Sequence, residues 1–577
     1  MDKDLQSIQE ARRLVAAAHS AWKRFEEFSE EQVETILEAM SCAGIAHARA
    51  LAEMAVEETG FGRVEDKTLK NLFCARDVYA AIRGLKTVGI VSEDEEKKII
   101  EVASPVGVIA GIIPSTNPTS TTIYKALIAL KGRNAIVFSP HPSAVRSINE
   151  TVRILREAAE EAGAPPGVLS SMETPTLEGT HELMKNPQTA VILATGGPGL
   201  VQAAYSAGKP AFGVGPGNVP AYIEQSADVA RAVAHILTGK CFDNGTLCSS
   251  EQSLIADDAV RDEVLAQLSV QGAYVCNDAE SQLLGSVIQT PGGTLNINIV
   301  GQSATRIAEM AGVEVPPSTR ALVGMARGVG RQHPLSMEKL SPVLAFYSVK
   351  DWREGCQKCM DILNFGGLGH TLGLHSTDDG VIRQFALQKP AYRICVNTPA
   401  ALGAVGYTTN LFPSMTLGCG AFGGNITSDN ISPLHLINLK RVAFGVREVE
   451  SLVSEAKVSE PLRSGAIDRS EIESIVDGWL ERKTPSKRPA LLKGPVPQAV
   501  VSPEPAASAP PLANYDQLEP SVASPSSSSP TPEEFVSEDD VRSAAAANIK
   551  IIIDAKTILT PSARDLGAEL DIFVNND

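Results

Sequence analysis

A cysteine beside a glycine-containing turn is the residue of this sequence best suited to covalent chemistry. Cys248 lies in the segment Phe242-Asp-Asn-Gly-Thr-Leu-Cys-Ser-Ser-Glu-Gln252, where small polar residues flank it on both sides. A thiol at such a bend can be exposed and act as a nucleophile. The competing interpretation is a buried structural thiol, which is the commoner fate of a single cysteine. The segment leaves both open, and Cys241 is a second candidate nucleophile.

The elements that must position this cysteine follow an α/β pattern. From residue 1 to about residue 455, helical patterns alternate with short apolar runs bounded by Gly and Pro, which is typical of a mostly parallel sheet. The runs 98–113 and 135–138 predict buried strands, and 118–131 predicts a helix between them. A second unit has a strand at 190–194 and a helix at 200–207.

The turns that follow these strands contain further candidate residues. Asn117 precedes Pro118 and, taken alone, is best explained as a turn residue. Thr195-Gly-Gly197 precedes a predicted helix, whose N–H groups and dipole favour a phosphate that glycine allows to approach. A plain strand-to-helix turn explains these glycines equally well.

Three features elsewhere have simple structural explanations. Glu338 is explained by a solvated charge beside Lys339, and His370 by a hydrogen bond to a loop carbonyl. Cys356 and Cys359 have a spacing found in redox and metal sites, but no second Cys or His pair accompanies them. We therefore predict that these two thiols pack in a helix, and we predict no metal site.

The composition limits the partners of such a site. The chain has 577 residues, too many for one compact core, which predicts two large domains with extensions. Its formal net charge of -17 argues against a nucleic acid or a membrane surface as the main partner, because both attract clustered Lys and Arg. The nine scattered cysteines fit reduced thiols, and the first residues contain no apolar signal core, so we expect a cytoplasmic protein.

Several glycine-rich and polar segments together resemble one family. The cysteine segment is similar to that of the CoA-acylating aldehyde dehydrogenases, a branch of the aldehyde dehydrogenase superfamily, and the resemblance extends from about residue 10 to about residue 450. A single match of this kind would be weak, but several in the family's order are specific. They are Ser104–Ser120, Phe138–Pro142, Ala194–Gly199, Gly213–Asn218, Glu338–Leu344, Gly369–Thr371 and Thr416–Gly420.

The resemblance implies the fold and the reacting groups. It implies an aldehyde dehydrogenase fold of class α/β, with a Rossmann-like cofactor domain and an α/β catalytic domain. Cys248 would be the nucleophile, and the Asn117 side-chain amide would form an oxyanion hole with the backbone N–H of Cys248. Cys241 is disfavoured because it matches no cysteine of the family. His370 would deprotonate CoA or shape the pocket.

The resemblance also implies a nicotinamide cofactor, for which NAD is preferred over NADP on family grounds alone. Thr195, Gly196 and Gly197 would face the pyrophosphate, and Glu338 would hold the nicotinamide ribose. The segment Ser139-Pro140-His141 would border the adenosine.

One absence separates two reactions of the superfamily. Hydrolytic members have a Glu in a glycine-rich segment, where it activates water against the thioester. This chain has Gly213-Val-Gly-Pro-Gly217 at the comparable place, without a carboxylate. Water attack should then be slow, and the thiol of coenzyme A can take over. We therefore expect an acyl-CoA product from acetaldehyde or propionaldehyde; a hydrolytic enzyme and an inactive scaffold are the alternatives.

The predicted domains follow from the same reading. Residues 1–233, completed by about 434–455, would bind the cofactor, and 234–433 would form the catalytic domain. An amphipathic helix is expected within 456–483, then a flexible Pro/Ala/Ser-rich linker at 484–536 and a small appendage at 537–577. The helix and the appendage resemble elements that dock enzymes inside bacterial microcompartments. Shell proteins are therefore expected partners, and the family implies a homo-oligomer.

Overall fold

The structure is a computed structural model that describes residues 2–447 and, beyond them, residues 474, 535–536, 540–541, 544–545, 549–553, 557–559, 563–564, 566–567, 570 and 572–575. Contacts within the chain divide it into two compact units, Met1–Leu462 and Arg463–Asp577. The helix predicted within 456–483 and the linker predicted at 484–536 lie outside the described residues, apart from residues 474, 535 and 536.

The first unit alternates helices and strands. Its helices are α1 (Lys3–Phe25), α2 (Glu30–Ala46), α3 (Ala48–Thr59), α4 (Val64–Leu72), α5 (Tyr79–Ile82), α6 (Pro118–Lys131), α7 (Val145–Glu161), α8 (Leu177–Lys185), α9 (Pro198–Tyr205), α10 (Val229–Cys241), α11 (Arg261–Val270), α12 (Asp278–Ile288), α13 (Ala304–Ala311), α14 (Trp352–Phe365), α15 (Asp379–Gln388) and α16 (Ala400–Ala404). Its strands are β1 (Gly89–Asp94), β2 (Ile99–Pro105), β3 (Val108–Ile113), β4 (Ala135–Pro140), β5 (Leu169–Ser171), β6 (Thr189–Thr195), β7 (Ala211–Val214), β8 (Val219–Ile223), β9 (Glu251–Asp257), β10 (Ala273–Val275), β11 (Ala321–Met325), β12 (Val343–Val349), β13 (Gly369–His375), β14 (Ala391–Val396) and β15 (Ile437–Ala443).

A five-stranded sheet with the order β5-β4-β3-β6-β7 occupies the N-terminal part of the first unit. All of its strand pairs are parallel. The strands β3 and β4 are buried along their whole length, which explains why both are continuous apolar runs. The strand order reverses direction between β3 and β6, and a ligand usually binds at the carboxyl ends of strands at such a point.

Helix α6 connects β3 to β4 and is buried on every side. It begins with Pro118 at its first helical position and ends at Lys131, as the sequence predicts. Its one buried charge in the middle, Lys125, donates to the carbonyls of Ile112 at 2.7 Å and Leu193 at 2.8 Å. These hydrogen bonds join the helix to both central strands, so the residues just after β3 are held firmly against the sheet.

A seven-stranded parallel sheet with the order β10-β11-β12-β9-β8-β13-β14 follows. Its first strand in the chain is β8, which pairs with β9 and β13. Sheet membership therefore changes between Val214 and Val219, earlier than the predicted domain boundary between 233 and 234. The difference arises because a short strand that directly follows β7 turns away from it to join the second sheet.

The run predicted as one strand at 98–113 forms two strands in different sheets. Gly107, with φ +128°, lies between β2 and β3 and provides a backbone conformation that other residues rarely adopt. The strand β2 lies in a three-stranded antiparallel sheet between β1 and β15, and β15 returns from the far end of the first unit to pair with it.

The second unit contains two pairs of parallel strands. The strands β16 (Phe535–Val536) and β18 (Ile558–Leu559) form one pair, and β17 (Ile551–Ile553) and β19 (Phe573–Asn575) form the other. A small apolar cluster that includes Val536, Val541 and Ile572 is buried beside them. The strands β17, β18 and β19 lie within the appendage that the sequence predicts at 537–577.

Candidate active site

Cys248 follows an unusual turn between α10 and β9. The three consecutive residues Asp243, Asn244 and Gly245 have φ values of 48°, 51° and 74°. Residues other than glycine adopt this left-handed conformation only at a cost of about 1 kcal/mol or more each, so neighbouring contacts must hold the turn. One of these contacts is the hydrogen bond from the Asn244 side chain to the carbonyl of Gly301, at 2.9 Å. The turn brings Cys248 to a half-buried position as a free thiol.

The carboxylate of Asp243 makes most of the other contacts that hold this turn. Its side chain is fully buried, and Lys67 and Lys70 of α4 both donate to Oδ2, with Lys67 at 2.9 Å. The hydroxyl of Thr246 donates to the same oxygen at 2.6 Å, and the backbone N–H of Arg63 donates to Oδ1 at 2.7 Å. Because every one of these partners is a donor, the carboxylate is well satisfied although it is buried.

Asn117 lies against the cysteine turn. It follows β3 at the start of α6 and is 9% exposed. Its Nδ2 donates to the carbonyl of Thr246 at 3.2 Å, and its Oδ1 accepts a hydrogen bond from Lys70. The structure thus brings the Asn117 amide to within two residues of Cys248, across more than a hundred positions of sequence.

The glycine-rich loop that precedes β8 packs against the same cysteine. A Cβ atom on Gly217 would lie 1.9 Å from the backbone oxygen of Cys248 and 3.3 Å from Cδ2 of His370. The N–H of Gly217 donates to Oε1 of Glu338 at 3.0 Å. Gly217 therefore allows three segments to meet, because no side chain separates them.

The thiol of Cys248 is poorly ionised in this environment. Its pKa is raised to about 12, mainly by burial and to a lesser extent by the negative charge of Glu338 and by the Cys419 thiol, while Arg393 opposes them. Burial also raises the pKa of Glu338 to about 7. The free thiol is thus a weak nucleophile until its surroundings change, since the thiolate is the reactive form.

His370 is a neutral, fully buried imidazole. Burial and the nearby Arg393 lower its pKa to about 3. Its Nδ1 lies 2.9 Å from the Thr371 hydroxyl, and its Nε2 has no hydrogen-bond partner among the described residues. The loop carbonyl that the sequence suggested is therefore not its partner, and one ring nitrogen stays available.

Arg393, in β14, holds the last segment of the site. Its guanidinium donates to the carbonyls of Gly418 at 2.6 Å and Ser428 at 3.0 Å, which orders the loop that contains Cys419. Arg393 is 3% exposed. Its positive charge therefore acts on the thiols of Cys248, Cys395 and Cys419 through an environment that screens it little.

The residues expected to bind the cofactor from the first sheet lie at the carboxyl ends of β4 and β6, the two strands that flank β3. Ser139 and Pro140 end β4, with Ser139 hydrogen-bonded to Thr180 at 2.7 Å, and His141 follows on the surface. Thr195 ends β6, and Gly196 and Gly197 lead into α9. The structure groups these residues on one edge of the sheet, while Glu338 lies at the Gly217 loop.

Two other cysteine predictions have a structural outcome. Cys241 ends α10, where its thiol contacts the carbonyl of Arg320 at 3.3 Å and burial raises its pKa to about 11. Cys356 and Cys359 are both buried in α14 and pack in an apolar cluster, as predicted. Sequence reasoning missed Lys70, Asp243 and Arg393; the segment Phe242–Gln252 already contained Asp243, but no local pattern identifies its partners.

Comparison with known proteins gives the family. Residues 4–290 match the aldehyde dehydrogenase family. The bifunctional aldehyde-alcohol dehydrogenase of Escherichia coli is 43% identical over 477 residues, which cover 82% of this chain and 53% of that protein. An acetylating aldehyde dehydrogenase from Geobacillus thermoglucosidasius has a similar crystal structure, with 56% identity, a TM-score of 0.77 and coverage of 78% of this chain and 99% of that one.

Two propionaldehyde dehydrogenase structures are also similar. The protein from the fucose utilisation bacterial microcompartment of Clostridium phytofermentans is 30% identical, with a TM-score of 0.69 and coverage of 75% of this chain and 97% of that one. The protein of Rhodopseudomonas palustris, solved with bound CoA and an acylated cysteine, is 27% identical, with a TM-score of 0.68 and coverage of 75% and 97%.

The chain therefore belongs to the aldehyde dehydrogenase family. Its relatives include acetylating aldehyde dehydrogenases, as the sequence resemblance predicted. The chain spans about half the length of the bifunctional relatives it matches. Within residues 2–447 and the described positions beyond them, no helix is long and apolar enough to cross a membrane.

The contact between Gly217 and Cys248 predicts a sharp effect of one methyl group. Gly217→Ala must displace the backbone of Cys248, and a misplaced nucleophile should lower kcat by about 100-fold. Gly215→Ala is the matched control, because a Cβ atom there would meet no described atom within 4 Å. Steady-state kinetics of both variants test this. Equal activities would show that the two glycine positions are equivalent and that the contact is unimportant.

The charge of Glu338 predicts a pH-dependent reactivity of Cys248. Glu338 ionises as pH rises through about 7, and its negative charge raises the pKa of the thiol. Glu338→Gln keeps an acceptor for the Gly217 N–H but removes the charge. Alkylation by iodoacetamide should then be similar in both proteins at pH 6 and about threefold or more faster in the variant at pH 8. Cys248→Ala gives the background rate, and a rate ratio that does not change with pH would contradict the prediction.

Proposed function

We propose that this protein oxidises a short-chain aldehyde, acetaldehyde or propionaldehyde, with NAD and CoA to acyl-CoA and NADH through a thioester on Cys248. The observation that carries the proposal is that Asn117 contacts Thr246, two residues before Cys248, while a glycine loop without a carboxylate of its own packs against Cys248. The named activities of the acetylating and propionaldehyde dehydrogenase relatives support it.

The first step requires a nucleophile and a place for negative charge. The thiolate of Cys248 adds to the aldehyde carbonyl, and the proton of the thiol passes to solvent. The carbonyl oxygen becomes an oxyanion, which Nδ2 of Asn117 and the backbone N–H of Cys248 stabilise. In the free protein, Nδ2 donates to the carbonyl of Thr246, and its second hydrogen lies toward the Thr116 hydroxyl at 3.2 Å. The oxyanion takes the place of the Thr116 hydroxyl, so that the hydrogen bond to the carbonyl of Thr246 is kept.

The proposed cofactor residues fit a dinucleotide. The hydroxyl of Thr195 is buried and has no hydrogen-bond partner among the described residues, and a Cβ atom on Gly197 would meet no described atom within 4 Å. A free hydroxyl and open space at the start of α9 suit a pyrophosphate, which accepts hydrogen bonds from the helix N–H groups. Ser139, Pro140 and His141 would border the adenosine, and Glu338 the nicotinamide ribose. A nicotinamide bound there would supply the acceptor for the hydride that leaves the tetrahedral adduct on Cys248.

The second step transfers the acyl group to a thiol. We assign His370 to this step, because its unpaired Nε2 can accept a hydrogen bond from the incoming thiol. Its low pKa means that the neutral imidazole orients the thiol better than it holds a proton. The thiol of CoA attacks the thioester carbonyl, and the sulfur of Cys248 leaves as a thiolate. The proton that CoA loses passes to this thiolate.

An apolar cavity beside the cysteine turn supports an aliphatic substrate. It is lined by side chains of α4, of the turn and of the segment 402–415, namely Leu69, Phe73, Phe242, Leu247, Leu402, Val405, Tyr407 and Met415, together with Lys70. One lining residue, Leu247, directly precedes Cys248 in the chain, which places the cavity beside the cysteine segment. Such a lining favours a short hydrocarbon chain over an anionic group, which would need a free cation.

A hydrolytic reaction is the alternative that one observation favours. Glu338 places a carboxylate at Gly217 although the loop itself has none, and its pKa near 7 would suit a general base. Its hydrogen bond to the Gly217 N–H and its proposed contact with the ribose argue for a binding role instead.

One assay separates these reactions. NADH formation from propionaldehyde and NAD is followed with and without CoA, and the products are identified by chromatography. We expect turnover to require CoA and to give propionyl-CoA, and Cys248→Ala to abolish it. Equal turnover without CoA, with propionate as product, would establish the hydrolytic enzyme. Full activity of Cys248→Ala would exclude the thioester, and the complete absence of activity in the unaltered chain would favour a scaffold.

The residues after 455 support a proposal about location. We propose that they dock a homo-oligomeric enzyme in a bacterial microcompartment, on the basis of their resemblance to docking elements and of the microcompartment origin of the Clostridium phytofermentans structure. Fusing residues 456–577 to a fluorescent protein in a host that forms shells tests this. We expect foci that coincide with the shells, whereas diffuse fluorescence beside intact shells would contradict it.

A further inference from the structure

Lys70 joins the ion cluster beneath the cysteine turn to the Asn117 amide. Its ammonium donates to Oδ2 of Asp243 and to Oδ1 of Asn117, and it lies 3.5 Å from the hydroxyl of Thr246. The Lys70 side chain is 4% exposed and that of Asp243 0%. A buried lysine thus connects the carboxylate that holds the turn with the amide proposed to bind the oxyanion.

This contact determines which way the Asn117 amide points. An ammonium group has only donors, so it requires the carbonyl oxygen of the amide, and the carbonyl of Thr246 requires the amide nitrogen. Rotating the amide by half a turn would oppose the NH₂ group to the ammonium and the two oxygens to each other. The amide nitrogen of Asn117, and not its oxygen, therefore faces the carbonyl of Thr246, two residues before Cys248.

The cluster also has an excess of positive charge. Lys67 and Lys70 share the single carboxylate of Asp243, while Asp66 accepts the backbone N–H of Asp243 at 2.9 Å. Asp66 is partly exposed and pairs with the exposed Arg63 at 3.8 Å. The two lysines thus carry more positive charge than the single carboxylate of Asp243 can neutralise. Of the two lysines, Lys70 also contacts the amide oxygen of Asn117, whereas Lys67 reaches the carbonyl of Thr116 instead.

Packing alone does not require a lysine at this position. The Lys70 stem lines the apolar cavity with Leu69, Phe73 and Leu247, so an apolar side chain of equal length would be accommodated. Burial lowers the pKa of Lys70 to about 8, which shows that the ammonium is costly there. Replacing a buried charged group by an apolar one is often neutral or stabilising when the remaining charge keeps a partner, and Lys67 would remain with Asp243.

We propose that Lys70 is a positioning residue for the oxyanion hole: it locks the orientation of the Asn117 amide and, through its charge on the amide oxygen, strengthens the N–H donors. The inference rests on the proposed function of Asn117 in aldehyde oxidation. Polarisation of a hydrogen bond by a neighbouring charge is strongest in a buried site. The oxyanion exists only in the transition state and the intermediate, so weaker N–H donors should lower kcat.

The test measures whether Lys70 acts through Asn117. Lys70→Met is made in the unaltered chain and in Asn117→Ala, and Lys67→Met is the matched control, since Lys67 is equally buried and binds Asp243 but not the amide. For each variant, kcat for NADH formation, the KM for NAD and the alkylation rate of Cys248 by iodoacetamide are measured. Alkylation reports on the position of the thiol but needs no oxyanion hole.

We expect Lys70→Met to lower kcat by about 10- to 100-fold, on the scale of the loss of one oxyanion donor, and to change alkylation and the KM for NAD by less than about twofold. In the Asn117→Ala background it should lower kcat by less than about twofold more, because the amide it acts on is gone. Lys67→Met should lower kcat much less than Lys70→Met.

Equal losses in the two backgrounds, or alkylation that falls in parallel with kcat, would overturn the proposal and leave Lys70 a structural residue. If Lys70→Met does not fold, Lys70→Gln serves in its place, because its amide can donate to Asn117 without the charge; an unchanged kcat would then overturn the electrostatic part. Turnover that does not depend on CoA would contradict the proposed acyl transfer. The coupling between the effects of the Lys70 and Asn117 substitutions on kcat would still be measured in the oxidation step.

Discussion

The arrangement of the site depends on the buried carboxylate of Asp243. A left-handed run of three residues is costly, and this carboxylate stabilises it by accepting hydrogen bonds from two lysines, a hydroxyl and a backbone N–H. The turn in turn determines where the thiol of Cys248 lies. Lys70, which pairs with Asp243, also contacts Asn117, so Cys248 and the Asn117 amide are positioned by one set of charges.

The two sheets contribute opposite strand ends to the site, namely carboxyl ends from the five-stranded sheet and amino ends from the seven-stranded sheet. Asn117 and Thr195 lie at the carboxyl ends of neighbouring strands in the five-stranded sheet, where ligands usually bind in α/β folds. Cys248, Glu338 and His370 lie at the amino ends of β9, β12 and β13, which are interior strands of the seven-stranded sheet. The hydrogen bond from Asn117 to Thr246 joins these strand ends, so neither sheet forms the site alone.

Local pattern predicted most of the first sheet. The structure confirms the helix predicted at 118–131. It was predictable because Pro118 marks its first turn and because the strands on either side are continuous apolar runs. The prediction of one strand at 98–113 was wrong, because an apolar run does not show that the chain turns at Gly107 from one sheet into another. Sheet membership of β8 was unpredictable for a similar reason: pairing partners far apart in sequence, not the strand itself, decide it.

The sequence by itself determined the types of the elements, the family and the residues capable of chemistry, because these depend on residue type, local spacing and motif order. Tertiary structure alone decided what surrounds Cys248. Lys70 and Asp243 are 173 positions apart, and no local pattern relates them. The fold brings these two residues into contact and buries the thiol of Cys248 near Glu338. Because burial removes water, the stability of each charged form depends on the groups packed beside it, and the pKa of the thiol is raised.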